Sequence, residues 1–216
     1  MKFFIDTANL AQITEAAQLG IIDGVTTNPS LMAKEGIRGE DNIMRHYKTI
    51  CDIVDGPVSA EVISTDYEGM IREGETLAEI APNIVVKIPM IKEGVKALRY
   101  FANNDIPTNC TLIFSAGQAL LAAKAGATFV SPFIGRIDDV SWDGVDLIEE
   151  IVAIYSNYDF DTQVLAASVR HPLHITQCAQ VGADVVTAPL SAFLKLFNHP
   201  LTDIGLAKFL EDAKKV

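Results

Sequence analysis

Residues 108–133 read TNCTLIFSAGQALLAAKAGATFVSPF, and they hold one complete structural unit. Thr108–Phe114 is a β-rich run, Ala116–Ala125 is an alanine-rich stretch with apolar spacing nearer 3.6 than 2, and Thr128–Phe133 is β-rich again. The β-rich runs are apolar on both faces, as strands of a helix-covered parallel sheet must be. The unit recurs along the chain. Further β-rich runs stand at Lys2–Ile5, Gly24–Thr26, Val58–Ile63, Ile84–Ile88, Gln163–Ala167 and Asp184–Ala188. Helical stretches lie at Asn9–Gln18, Asn42–Val54, Asp66–Ile80, Lys92–Asn103 and Trp142–Tyr155. Eight units in 216 residues give 216/8 = 27 residues each, the length of a minimal βα repeat. The pattern predicts an α/β protein of one domain over residues 1–216, a (β/α)8 TIM barrel. An open Rossmann-type sheet is the competitor, and no G-x-G-x-x-G follows the first run to support it. A further helix is predicted over Leu201–Lys215, beyond one around Ala192–Phe197. Its apolar Ile204, Leu206, Phe209 and Leu210 either cover their own barrel or dock on a neighbouring subunit.

Apolar residues make up 49% of the chain and charged residues 21%, which excludes disorder and collagen-like or coiled-coil classes. Subtracting 28 acidic from 17 basic residues leaves a net charge of −11, which disfavours nucleic acid and anionic membrane as partners. Cys51, Cys110 and Cys178 have no CxxC spacing, so neither a disulfide framework nor a zinc cage is expected. Asp6 interrupts the apolar start, and no apolar run reaches the length of a membrane span, so a cytoplasmic location is expected. Neither a P-loop nor a dinucleotide fingerprint occurs, and no cofactor is expected.

In such a barrel the side chains at the C-terminal strand ends face the site, so polar residues that break the apolar runs are the candidates. Asp6, Glu61, Lys87, Thr111 and Ser168 do so. Lys87, in Ile84-Val85-Val86-Lys87-Ile88-Pro89, is the only one of eleven lysines flanked on both sides by strand-forming aliphatic residues. An apolar environment disfavours the charged form of a lysine and supplies the neutral amine that attacks a ketone, the opening of Schiff-base chemistry. A structural ion pair with Glu61 or Asp6 is the alternative. Asp6 and Glu61 are suited to moving protons, although Asp6 could also cap the first helix. In Val25-Thr26-Thr27-Asn28-Pro29-Ser30, Asn28 reads as a helix cap with Pro29 at the first helical position, while Thr26 and Thr27 add a polar rim for a hydroxylated ligand.

Arg136 follows the sixth run, and Ser168 and Arg170 follow the seventh. Together they could clamp a phosphate, or the arginines could be surface ion pairs. His171 and His174 have a possible metal spacing but no third ligand, and read as helix-surface histidines with no metal. Trp142, Phe193 and Phe197 read as core or interface aromatics.

Five ordered stretches carry a resemblance: Phe4-Ile5-Asp6-Thr7, Gly24 to Ser30, Ile84 to Pro89, Asn109-Cys110-Thr111-Leu112-Ile113-Phe114, and Ser131-Pro132-Phe133-Ile134-Gly135-Arg136-Ile137-Asp138-Asp139. With them the chain resembles the small-subunit transaldolases, a family that includes the fructose-6-phosphate aldolases. The resemblance implies a metal-free, cofactor-free mechanism in which Lys87 forms a Schiff base with the C2 carbonyl of a ketose phosphate. Asp6 would take the C4 hydroxyl proton, and Glu61 and Thr111 would hold a water that shuttles protons. Asn28 and Ser168 would bind substrate hydroxyls, beside the polar rim of Thr26, and Arg136, Ser168 and Arg170 would bind the phosphate. Aldolase-type members have Gln where Glu61 stands and Tyr where Phe133 stands, so this chain resembles the transaldolase type of the pentose phosphate pathway. A homo-oligomer, a pentamer or a decamer, is also implied, with the last helix crossing to a neighbour.

Overall fold

The computed structural model describes residues 1–215. Its strands are β1 (Lys2–Asp6), β2 (Gly24–Thr26), β3 (Val58–Glu61), β4 (Ile84–Pro89), β5 (Thr108–Ile113), β6 (Phe129–Pro132), β7 (Gln163–Ala166) and β8 (Val185–Ala188). The helices are α1 (Leu10–Gln18), α2 (Pro29–Lys34), α3 (Glu40–Ile53), α4 (Tyr67–Ala78), α5 (Lys92–Asn103), α6 (Ala116–Ala125), α7 (Ile134–Asp138), α8 (Gly144–Asn157), α9 (Pro172–Gln180), α10 (Leu190–Leu194) and α11 (Pro200–Ala213). The strands form a closed barrel in chain order, with every pairing parallel, and β8 closes on β1 from Lys2↔Val185 to Ile5↔Ala188. The protein is therefore the (β/α)8 barrel that the sequence predicts.

Side chains alternate across each strand, so every second residue points into the barrel. Those inward positions change character along the axis. Near the N-terminal ends Phe4, Val85, Phe129, Leu165 and Val185 form a separate apolar cluster, with the Phe4 and Phe129 rings edge to face at 5.9 Å. Gly24 leaves room for this plug, because a Cβ there would lie 2.7 Å from the Phe4 ring. One inward step toward the C-terminal ends, β1, β4, β6 and β8 carry Asp6, Lys87, Ser131 and Thr187, and β2 adds Thr26. The barrel is thus stoppered below and polar above, which fixes the end at which chemistry can occur. A larger apolar core fills the space between the sheet and the helices.

Local chemistry sets the helix starts. Asn9, Asp66 and Ser115 each accept a backbone N–H of the following turn, at Gln12, Gly69 and Gln118. Asp6 is therefore not the cap of α1. Gly126, with φ +91°, ends α6 in the left-handed conformation that glycine adopts at least cost.

Three aromatic expectations divide. Phe193 is buried, whereas Trp142 and Phe197 are exposed, Trp142 lying in the turn before α8 rather than inside a helix. Helix α11 has no buried residue; its Leu201, Ile204, Leu206, Phe209 and Leu210 are all exposed, so it does not cover its own barrel. Among the described residues no helix is long and apolar enough to cross a membrane. The three cysteines are free thiols, and burial raises Cys51 to about 11 and Cys110 and Cys178 to about 12, far from reactive thiolates.

Candidate active site

Lys87 stands at an inward position near the end of β4 and is only 5% exposed. Its Nζ lies 2.9 Å from Glu61 Oε2 and donates to the Thr27 carbonyl at 3.0 Å. The strand register explains the first contact, since Glu61 on β3 pairs directly with Lys87 on β4. The purely apolar surrounding that the flanking residues suggested is not what the lysine has. The neighbouring strands also place polar groups inside the barrel, and an ammonium this buried requires a counter-charge.

Asp6 ends β1 in the same cavity. Thr26 Oγ1 donates to its Oδ1 at 2.7 Å and lies 2.6 Å from Thr187 Oγ1. Burial holds the Asp6 carboxyl above its ordinary value, against the opposing pull of the Lys87 charge and the Thr26 hydrogen bond. Asp6, Thr26, Asn28, Lys87, Phe133, Arg136 and Ser168 all line a cavity of about 150 Å³ at the C-terminal end of the barrel, joined by Ser131, Ala167 and Thr187. A second, adjoining cavity of about 470 Å³ shares Asn28, Lys87, Phe133 and Arg136 and adds Glu61 and Thr111. Nine of the eleven expected residues therefore converge; Thr27 does not, because its fully buried Oγ1 is turned to Tyr47 Oη and the Ser59 carbonyl. Thr111 Oγ1 is buried without a hydrogen-bond partner, an unusual state for a hydroxyl and one that a small polar molecule would relieve.

Asn28 serves two purposes. Its Oδ1 accepts from Leu31 N at 3.0 Å as the cap of α2, which turns the rest of the amide toward the cavities. Arg136, on α7, holds its guanidinium 5.1 Å above the Phe133 ring, a cation–π contact that fixes it at the cavity wall. Two rim residues have left-handed backbones without being glycine: Ser168 at φ +60° and Leu112 at φ +61°, the latter within the bulge of β5. Such conformations persist only where the surroundings impose them, and they cluster at binding sites.

Arg170 does not join the cavities either. Its Nη2 makes a 2.6 Å ion pair with Asp139, both half-exposed, and its side chain crosses over Gly135, so it lines neither cavity. The Asp139 carboxylate holds the guanidinium at the C-terminal end of α7. His174 is buried rather than on a helix surface. Its Nε2 lies 3.0 Å from Asp138 Oδ2, and burial, with His171 beside it, lowers its basicity. His171 caps α9, and among the described residues no group of three or more metal-ligating side chains occurs.

Sequence reasoning passed over Ser131, Thr187 and Asn109. Ser131 Oγ donates to Asn109 Oδ1 at 2.7 Å, and Asn109 Nδ2 donates to Ser59 Oγ at 3.1 Å, a buried polar chain that includes Asn109, the register partner of Lys87. Each interrupts a β-rich run with a polar residue, the same signal that singled out Lys87.

Comparisons with known proteins bear on the fold and the family. Two solved structures share the fold alone: a thiamine phosphate pyrophosphorylase from Pyrococcus furiosus (TM-score 0.62, 14% identity, covering 87% of this chain and 85% of that one), and an inosine 5′-monophosphate dehydrogenase from Legionella pneumophila (TM-score 0.59, 13% identity, 88% and 58%). Much nearer in sequence is a "Probable transaldolase" of Cytophaga hutchinsonii, 71% identical over 216 residues and covering 100% of this chain and 99% of the relative. One of the same description from Phocaeicola vulgatus is 70% identical over the same shares. The sequence profile described as Transaldolase/Fructose-6-phosphate aldolase matches residues 3–216. The chain belongs to the transaldolase/fructose-6-phosphate aldolase family.

Proposed function

We propose that this chain is a transaldolase that carries a dihydroxyacetone unit on Lys87 between sugar phosphates. The observation that supports it most is the placement of one buried lysine, at the polar end of a barrel, between two carboxylates with different surroundings. Glu61, 2.9 Å from Nζ, takes the ammonium proton and frees the amine. The amine adds to C2 of fructose 6-phosphate or sedoheptulose 7-phosphate, and loss of water leaves the iminium. Ionised Asp6 takes the C4 hydroxyl proton as the C3–C4 bond breaks; the bonding pair moves into the iminium and an aldose phosphate leaves. The resulting enamine attacks the carbonyl of glyceraldehyde 3-phosphate or erythrose 4-phosphate, Asp6 returns its proton, and water releases the new ketose phosphate. Thr111, with its unpartnered hydroxyl, holds that water beside Glu61. Asn28 and Ser168 bind hydroxyls, and Arg136 with Ser168 binds the phosphate.

Phe133 decides the fate of the enamine in this reading. Its ring lines both cavities and offers no hydroxyl to order a water or deliver a proton, so capture by an aldose outruns hydrolysis. The test is a pair of reactions on fructose 6-phosphate, with and without erythrose 4-phosphate. Product that forms only with the acceptor agrees with transfer; free dihydroxyacetone at a comparable rate without it would make the enzyme an aldolase. Phe133→Tyr is expected to raise acceptor-free release several-fold, and an unchanged rate would remove the role given to the missing hydroxyl.

The two arginines separate by measurement. Arg136→Ala is expected to raise KM for phosphorylated donors about 10- to 100-fold, the equivalent of one or two charge-assisted hydrogen bonds. Arg170→Ala, which breaks a half-exposed ion pair, is expected to change it less than about threefold. Equal effects would return Arg170 to the phosphate site.

The same proposal extends to assembly as a homo-oligomer, a pentamer or a decamer, in which α11 lies on a neighbouring subunit. Five exposed apolar side chains on one helix support it. Phe209→Asp with Leu206→Asp is expected to shift sedimentation to the monomer, and an unchanged profile would exclude α11 from the interface.

A further inference from the structure

Tyr47 lies on α3, outside the sheet, and is 2% exposed. Its Oη reaches the ends of two adjacent strands. Thr27 Oγ1 donates to it at 3.0 Å, and the Glu61 backbone N–H donates to it in a longer contact of 3.4 Å. Thr27 and Glu61 are also the two residues that hold the Lys87 ammonium, one through its carbonyl at 3.0 Å and the other through its carboxylate at 2.9 Å. A single phenol therefore braces both partners of the nucleophile from behind.

The position needs a brace. Thr27 lies just past the end of β2, a strand of three residues, and Glu61 is the last residue of β3. At such ends the ladder no longer fixes the backbone from both sides. Neither substrate-end cavity is lined by Tyr47; with Glu61 it faces a separate lateral cavity of about 410 Å³ that also includes Ile43, Met44 and Leu77. Burial keeps the phenol protonated, with its acidity below the ordinary level.

We propose that Tyr47 is the positioning residue of the nucleophile, fixing the Thr27 carbonyl and the Glu61 carboxylate and through them the direction of Lys87 Nζ. The inference rests on the reading of Lys87 as the Schiff-base lysine. Tyr47 touches no substrate, so its contribution is to rate rather than to affinity. Displacing a reacting group by about 1 Å costs up to about 10²-fold in rate, and loss of one of two converging supports is expected to cost about 10-fold.

The test compares the wild type with Tyr47→Phe, which keeps the ring and removes only Oη, and with Thr27→Val, which cuts the same link from the other end. The rate of borohydride trapping with fructose 6-phosphate is measured across pH, beside kcat, KM and Tm. The expected result is trapping and kcat about 10-fold slower in Tyr47→Phe, KM within about twofold, and a displaced pH midpoint of trapping. The Tyr47→Phe/Thr27→Val double variant is expected to lose less than the two single losses combined, because the Thr27–Tyr47 hydrogen bond is common to both, while Tyr47→Phe alone removes the Glu61 N–H contact and Thr27→Val alone the contact to the Ser59 carbonyl. A lower Tm with trapping rate, kcat and pH midpoint unchanged in both single variants overturns the inference and makes Tyr47 structural. Failure of the wild type to be trapped overturns the Schiff-base reading itself, and the inference with it.

Discussion

Replacing Lys87 with alanine reduces transfer by about 10⁴-fold or more, because the covalent route disappears and only substrate binding remains. The same change also destabilises the fold. It leaves the Glu61 carboxylate, largely shielded from water, without the ammonium 2.9 Å away. Removing one partner of a buried pair costs about 3–5 kcal/mol, and the residual exposure of Glu61 places this case toward the lower end. Lys87→Ala with Glu61→Gln removes the stranded charge and regains much of that loss, with no return of activity. Transfer assays and thermal melts of the single and double variants check both halves. A single variant that keeps its full Tm would mean that the pair carries little of the local stability, and residual transfer at a few per cent would mean that Lys87 is not the nucleophile.

Asp6→Asn moves activity and stability in opposite directions. An amide cannot take the C4 proton, so kcat falls about 10²- to 10⁴-fold, the usual contribution of a positioned acid–base group. Stability rises at neutral pH. Burial raises the Asp6 carboxyl in the folded protein above its ordinary value of 3.8. Between those two values the folded chain holds a proton that the unfolded chain has already lost, so stability falls as pH increases through that window. Above it the whole penalty is present, and the amide escapes it. The variant should therefore melt higher than the wild type at pH 7, with the difference shrinking as pH falls from the raised value toward 3.8 and gone below it. For the wild type, activity should decline on acidification through the raised value, as the base becomes protonated. A variant that melts lower than the wild type at pH 7 would mean that the ionised carboxylate is net stabilising, through Lys87 and Thr26.

The barrel was legible because its signal is periodic and cumulative. Eight apolar runs at nearly even spacing leave few alternatives, and the bounds of α5 and α6 match the predicted stretches residue for residue. Most of the site was legible for the related reason that a polar residue in an inward strand position near the C-terminal end has only one place to go. Asn109, Ser131 and Thr187 escaped although they interrupt strand runs, because small polar residues are common there; the rest of what escaped lies off the strand pattern. The Thr27 carbonyl is a backbone group, and every residue has one, so composition cannot single it out. Tyr47 reads as an ordinary core aromatic on α3, and only the fold brings its hydroxyl between β2 and β3. Arg170 was placed on the correct loop, but the direction of a long side chain depends on the nearest carboxylate, and Asp139 lies 31 residues away in sequence. In the sequence His174 reads as a surface residue because its partner Asp138 belongs to α7, a five-residue helix too short for periodicity to reveal.

The stability of the site and its chemistry meet at Lys87. Incubation of the protein with fructose 6-phosphate, followed by borohydride reduction and peptide mass spectrometry, tests that assignment most directly. The account predicts a secondary amine on Lys87 that carries either the ketose phosphate or its three-carbon fragment, absent when the sugar is omitted. A reduced protein with no added mass, or with the mass on a different lysine, would contradict it.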